Sequence, residues 1–201
     1  MKFKLAFFAL ICAVSVFLTG CGGSRTVYKN GAADIIDANI TISFPENWAV
    51  ATDDDAYDDI CSTIDLDGVS AKSLKAMYKS VGAQILLSAH SPGDDVTVMF
   101  SRAEKGERSA EEILQGLHDN AVFEYRSSDF VTESSFGEYE QGGVSGFLSV
   151  IKVFYGIGEP EFTTEKRQFY FERGGSVFSL VVDITGGSEQ EAEGIVISAK
   201  E

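Results

Sequence analysis

Two histidines, His90 and His118, are the only imidazoles in this chain, and they stand 28 positions apart. That separation rules out a helical His-Glu-x-x-His metal pair, whose two ligands lie one turn from each other. His118 follows Leu117 near the end of a helical pattern, where a cation is favoured by the helix dipole, and His90 closes an apolar run beside a turn. Both read as surface residues. Serine chemistry is no better supported: Gly143-Val144-Ser145-Gly146 is not the Gly-x-Ser-x-Gly elbow of serine hydrolases. Ser149 and Lys152 match Ser-x-x-Lys by letter, but positions three apart on a strand face opposite sides of the sheet. Phosphate-binding loops and Gly-x-Gly-x-x-Gly turns are missing. The sequence therefore assigns no catalytic residue, no cofactor beyond covalent lipid, and a non-enzymatic reading of the domain.

The densest cluster of reactive groups is acidic. Asp53, Asp54, Asp55, Asp58 and Asp59 crowd into one short stretch, with Asp65 and Asp67 close behind. Carboxylates are the oxygen ligands that calcium prefers. Aligning Gly68 with the glycine of an EF-hand loop, however, puts Thr63 at the first ligand position and Leu74 where the bidentate glutamate belongs. The stretch reads as a solvated acidic loop, with Asp53, Asp55, Asp58 and Asp59 as weak metal candidates only.

Cysteine carries the strongest signal. Lys2 and Lys4 precede an apolar run over residues 5–18, and small residues then lead to Cys21. This is the layout of a secretory signal with its cleavage site, and the run is shorter than the ~20 apolar residues a bilayer span requires. Leu18-Thr19-Gly20-Cys21 resembles the lipobox of bacterial lipoproteins. The resemblance implies that the Cys21 sulfur carries diacylglycerol of palmitate type, with N-acylation as an optional addition. It also implies cleavage just before Cys21 and anchorage at the extracytoplasmic face of the cell membrane. In a cell with two membranes, Gly22 rather than Asp after the cysteine resembles outer-membrane sorting. Cys12 leaves with the leader, so Cys61 is the one thiol that remains, and it reads as a small packed side chain.

The elements that must hold these groups follow from composition and periodicity. Loss of Lys2 and Lys4 with the leader takes the net charge from −15 to −17, which excludes nucleic acid and anionic headgroups as polybasic docking partners. Hydrophobic residues make up 44% of the chain, with 15 Phe and 7 Tyr, enough for a packed core in one domain. Residues 1–20 are assigned to the signal, 21–33 to a flexible tether and 34–201 to the domain. Ile40, Ile42 and Phe44 alternate as one face of a strand. A turn at residues 45–47 leads to a second strand opening at Trp48, which is expected to be buried. Ser70 caps a helix over residues 70–81. Residues 84–90 and 95–102 form a hairpin about Ser91-Pro92-Gly93-Asp94. Ser109 and Glu112 form a capping box for a helix whose stripe is Ile113, Leu114, Leu117 and Ala121. Strands follow over residues 130–141, 147–155, 162–172 and 176–185. A second capping box, Ser188 to Glu191, predicts a final helix with Ala192, Ile195, Val196 and Ala199 on its stripe. The order argues for an α+β fold, a single domain with a largely antiparallel β-sheet flanked by helices.

Ile42-Ser-Phe-Pro-Glu-Asn-Trp-Ala-Val50 is similar to the opening strand-turn-strand of PsbP-like (Mog1/PsbP) domains, with their Phe-x-Pro-x-x-Trp motif. The hairpin over residues 162–185 and the phrase Ile197-Ser-Ala-Lys200, placed at the end of a short helix, are also similar. The resemblance implies a central antiparallel sheet flanked by helices, and partners that are proteins, with no catalytic positions to transfer. The leading expectation is thus a non-enzymatic lipoprotein binding an unidentified protein or cell-envelope component. The alternatives are a small-solute-binding lipoprotein of a transport system and an envelope hydrolase. A deep pocket with convergent polar groups would favour the alternatives, and an exposed aromatic patch the leading reading.

Overall fold

The computed structural model describes residues 26–64, 68–127, 130–155 and 162–200. Residues 1–20, assigned above to a signal, lie outside the described residues, as do Cys21, Asp65 and Asp67. Four short strands, β1 (Thr26–Lys29), β2 (Ala32–Ile35), β3 (Ile40–Ser43) and β11 (Val196–Ala199), form a small sheet in the order β1-β2-β3-β11. Seven more make the main sheet: β4 (Ala49–Thr52), β5 (Ala83–His90), β6 (Val96–Glu104), β7 (Val131–Gln141), β8 (Val144–Tyr155), β9 (Phe162–Arg173) and β10 (Ser176–Thr185). Their order is β4-β5-β6-β10-β9-β8-β7, and every pairing in both sheets is antiparallel. Helices α1 (Asp54–Ile64), α2 (Ala71–Ser80), α3 (Ala110–Ser127) and the single turn α4 (Glu189–Ala192) complete the domain. The predicted α+β class holds.

Period-two alternation explains the layering. On β10, Phe178, Leu180 and Val182 point to the small sheet and share a core with its Ile35, Ile40 and Ile42 and with Phe100 and Phe171 of the neighbouring strands β6 and β9. The intervening Val177 and Val181 point the other way, toward the helices. The core is therefore three layers deep: small sheet, main sheet, helices. Flanking by helices accounts for one face of the main sheet, and a second sheet covers much of the other. Trp48 is buried as expected and stacks on Phe44 at 6.0 Å between ring centroids.

Three local expectations are corrected. Asp53–Asp59 is not a loop: Asp54 opens α1, whose Ala56, Tyr57 and Ile60 are buried on one stripe. Asp54 and Asp55 occupy its first turn, where negative charge is favoured by the dipole. Residues 26–33, assigned to the tether, instead form the hairpin β1–β2, turning at Asn30 (φ 53°) and Gly31 (φ 77°). Asn-Gly with both φ positive is the two-residue turn that suits strand twist, and it brings the fully buried Ala33 and Ile35 under the main sheet. The C-terminal helix is one turn long, and Ser188 makes no side-chain capping bond. Ile195 and Ile197 are buried while Val196 is exposed, so the segment continues as strand β11 paired with β3. Gly194 makes the approach between them: a Cβ there would lie 2.6 Å from the Pro45 ring.

The other cap is real. Ser109 Oγ accepts the Glu112 N–H at 3.2 Å, and the Glu112 carboxylate accepts the Ser109 N–H at 2.9 Å. Glu172 on β9 accepts the Ala110 N–H at 2.8 Å and pairs with Lys105, which holds its carboxyl below the usual range. The start of α3 is thereby fixed to the sheet.

Candidate functional site

The acidic residues are dispersed by α1. Asp54 pairs with Lys75 of α2 at 2.5 Å, while Asp55 and Asp58 face solvent. Asp59 turns inward, accepting from Ser88 Oγ at 2.6 Å and lying 3.5 Å from His90 Nε2. Asp94 holds the other side of that ring at 2.6 Å from Nδ1. His90 is thus clamped between two carboxylates at the mouth of the β5–β6 hairpin. Among the described residues, no three His, Cys, Asp or Glu side chains are placed to share a metal ion. Asp53 precedes the helix with φ 54° and is not brought together with Asp55, Asp58 and Asp59 as a ligand set. Cys61 packs beside the cluster under α1, and burial, with Asp58 nearby, pushes its thiol up.

His118 is not a surface residue. It lies in the middle of α3, only 8% exposed, with Nδ1 2.8 Å from Ser149 Oγ and its ring 5.8 Å from that of Phe136. A serine and a histidine at this distance have the separation of a nucleophile and its base. Ser149, however, has no solvent exposure, so no substrate carbonyl can reach its oxygen. The contact satisfies two buried polar groups, and burial holds the His118 pKa below its ordinary value, which favours the neutral ring. Lys152 points to the opposite face, toward Glu189 at 2.9 Å, as strand geometry requires. The Ser149–Lys152 pair does not meet.

The structure brings together a site that sequence reasoning missed. On the face of the main sheet toward the small sheet, β7, β8, β9 and β10 form the floor of an open cleft of about 420 Å³, walled by the end of α4 and the segment leading to β11. Leu148, Val150, Phe169 and Ile195 supply apolar surface, and Tyr139 meets Phe169 edge-on at 5.4 Å. One end is charged. Arg167 Nε donates to Glu165 at 2.5 Å, and Lys152 lies 3.8 Å from the same carboxylate while bonded to Glu189. Those contacts hold Glu189 below and Lys152 above their ordinary pKa values, so both stay ionised near neutrality. The alternation of Glu165, Arg167 and Phe169 was legible as one strand face, but their union with Tyr139 and Ile195 depends on pairings distant in sequence. The arrangement can bury an apolar group while a charged end orients it.

Comparison with known proteins adds little. No protein-family model matches the chain, and no curated protein does. Among solved structures it is similar to LpqN, described as involved in cell envelope biogenesis of Mycobacterium tuberculosis, with a TM-score of 0.42 and 14% identity over 79% of this chain and 83% of that one. It is also similar to a protein of Bacteroides thetaiotaomicron VPI-5482, with a TM-score of 0.37 and 14% identity over 81% of this chain and 46% of that one. Likeness at this level carries no argument about function. The class defined by the coordinates is an α+β domain of two antiparallel sheets and a helical layer. Among the described residues no helix is long and apolar enough to cross a membrane.

Proposed function

We propose that this chain is an extracytoplasmic lipoprotein, held to the membrane by diacylglycerol on Cys21, whose domain binds a protein or cell-envelope partner without catalysing a reaction on it. The observation that carries the reading is Leu18-Thr19-Gly20-Cys21 behind a short, charge-free apolar run. Two acyl chains at ~0.8 kcal/mol per buried CH₂ suffice for stable anchoring. The net charge, −15 for the full chain and −17 once Lys2 and Lys4 leave with the leader, keeps the domain off anionic headgroups, so attachment falls to the lipid alone. The binding half of the reading is supported by exposed aromatic surface, of which Phe123, at 73% exposure, is the most exposed among the described residues. A second reading is favoured by the cleft: about 420 Å³ lies within the size range of small-molecule sites, as a solute-binding lipoprotein would need.

The test is metabolic labelling with a palmitate analogue. Wild type is expected to take up label and to be shortened, whereas Cys21→Ala stays as an unlabelled precursor. Label retained in Cys21→Ala would overturn the anchor.

A further inference from the structure

The four outer strands of the two sheets are unequal. β1, β4 and β11 are each 4 residues long, whereas β7 runs for 11. Short edges give an incoming strand little to pair with; a long one is a template. β7 has neither Pro nor Lys in Val131–Gln141, and its charges are carboxylates alone, which repel a like edge and leave it open to a cationic one. Which of its backbone groups are free follows from the turn. β7 and β8 are joined by Gly142-Gly143, both with positive φ, so Gln141 and Val144 close a two-residue hairpin as a hydrogen-bonded pair. Counting back in twos, the odd residues of β7 bond to β8, and the N–H and C=O groups of Thr132, Ser134, Phe136, Glu138 and Glu140 point outward. Among the described residues, no backbone bond to them from another element is found.

Beside this edge lies a groove. α3 and β7 enclose an open hollow of about 590 Å³ lined by His118, Asp119, Val122, Phe123, Arg126 and Ser134 among others; Asp119 and Arg126 offset each other in charge, and Phe123 is 73% exposed at its rim. Toward the other end of β7 the same face carries Glu138 and Glu140, both exposed, and Glu133 lies exposed on the opposite face. The strand itself bears three carboxylates and no cation.

We propose that β7 is a docking edge for an extended segment of a partner protein, added as an eighth strand of the main sheet. The inference rests on the partner-binding reading above. Main-chain groups of the even residues bind the segment's backbone; side chains alternate into the groove. Opposite Ser134 and Phe136 the segment presents apolar residues to Val122 and Phe123, and opposite Glu138 and Glu140 it presents Lys or Arg on the same face. A second copy of this chain fits poorly, because pairing β7 with itself gathers six carboxylates on one ribbon without a counter-charge.

The test uses the mature lipoprotein in detergent and two blocked peptides, Lys-Thr-Lys-Thr-Val-Thr-Val, which sets Lys opposite Glu138 and Glu140 when added antiparallel like every other strand of the sheet, and its counterpart with Glu for Lys. Binding is read by fluorescence anisotropy, and amide exchange by NMR. The Lys peptide is expected to bind roughly tenfold more tightly than the Glu peptide. It should slow exchange at Ser134, Phe136 and Glu138 by about tenfold, with Ser135 and Gly137 already slow in the free protein. Ser134→Pro, which deletes one outward N–H while suiting an edge strand, should weaken binding about tenfold. Glu138→Lys with Glu140→Lys should reverse the preference between the peptides. Equal binding of both peptides, or even-residue amides that are slow without any peptide, would overturn the proposal. Protection that grows with protein concentration alone would overturn it in favour of self-pairing. Lipid labelling at Cys21 is unchanged by these variants, so either reading can fail without the other.

Discussion

Strands β10 and β7 belong to one sheet and are nearly equal in length, yet they live in different solvents. β10 sits fourth in the order β4-β5-β6-β10-β9-β8-β7 and is buried along most of its length, whereas β7 forms the rim and is exposed over most of its described side chains. Phe178 on β10 stacks between Phe171 at 5.3 Å and Phe100 at 5.9 Å. At the rim, Tyr139 is 37% exposed. An antiparallel sheet permits this division because its ladder is satisfied whether or not a face is covered. Stability is concentrated where the small sheet and helices close on the centre. The rim, spared from that task, keeps backbone groups, aromatic surface and carboxylates in solvent, as the proposed docking requires.

The contrast is broken most severely by emptying the centre. Phe178→Ala should cost about 3–5 kcal/mol, read as a lower urea midpoint with an unchanged slope. A loss below about 1 kcal/mol would mean that the centre collapses around the void and is not the rigid half of the molecule.

A pH effect should come next, at the seam where α3 covers the rim strands. Burial holds the His118 pKa below 6.5, so as pH falls the unfolded chain takes up the proton before the folded one. The contribution is fully present above the ordinary histidine pKa and is lost as pH falls through it toward the depressed folded value. Thermal melts from neutral pH to about pH 5 should show a steeper decline for wild type than for His118→Gln. Parallel profiles would place His118 in solvent.

Ser109→Ala removes the hydroxyl that accepts the Glu112 N–H at the start of α3 and should cost about 1 kcal/mol, with Glu172 still holding Ala110. Phe123→Ser, at the other end of the same helix, should change the urea midpoint by no more than about 0.5 kcal/mol equivalent. A large loss there would show that Phe123 serves the core rather than the groove. The pair therefore sharpens the boundary between the half that holds the fold and the half left open.

Elements whose instructions are local were legible in the chain. Ser70 caps α2 with its Oγ accepting the Ser73 N–H at 3.2 Å, and Ser109 with Glu112 opens α3, because both motifs act within one turn. Alternation at Ile40, Ile42 and Phe44 was enough to name a buried face, since strand side chains switch sides at every residue. Composition misled where periodicity should have been heeded: five aspartates suggested a loop, but Ala56, Tyr57 and Ile60 already marked a helical stripe. Asn30-Gly31 likewise announced a hairpin inside what was assigned to the tether.

Other features had no local instruction to read. Ser188 to Glu191 has the letters of the Ser109 box, yet α4 stops after one turn because pairing Ile197 with Ile42 on β3 buries both side chains completely. His118 met Ser149, and Phe169 met Tyr139, only when strands distant in sequence were laid side by side. The sequence by itself determined the anchor motif, the acidic charge, the α+β class and the caps, since each depends on composition or on residues within a few positions. Tertiary structure alone decided that Ser149 is sealed, that the aspartates are dispersed, and that β7 is the long open edge. Strand order is a property of long-range pairing, and no residue carries it alone.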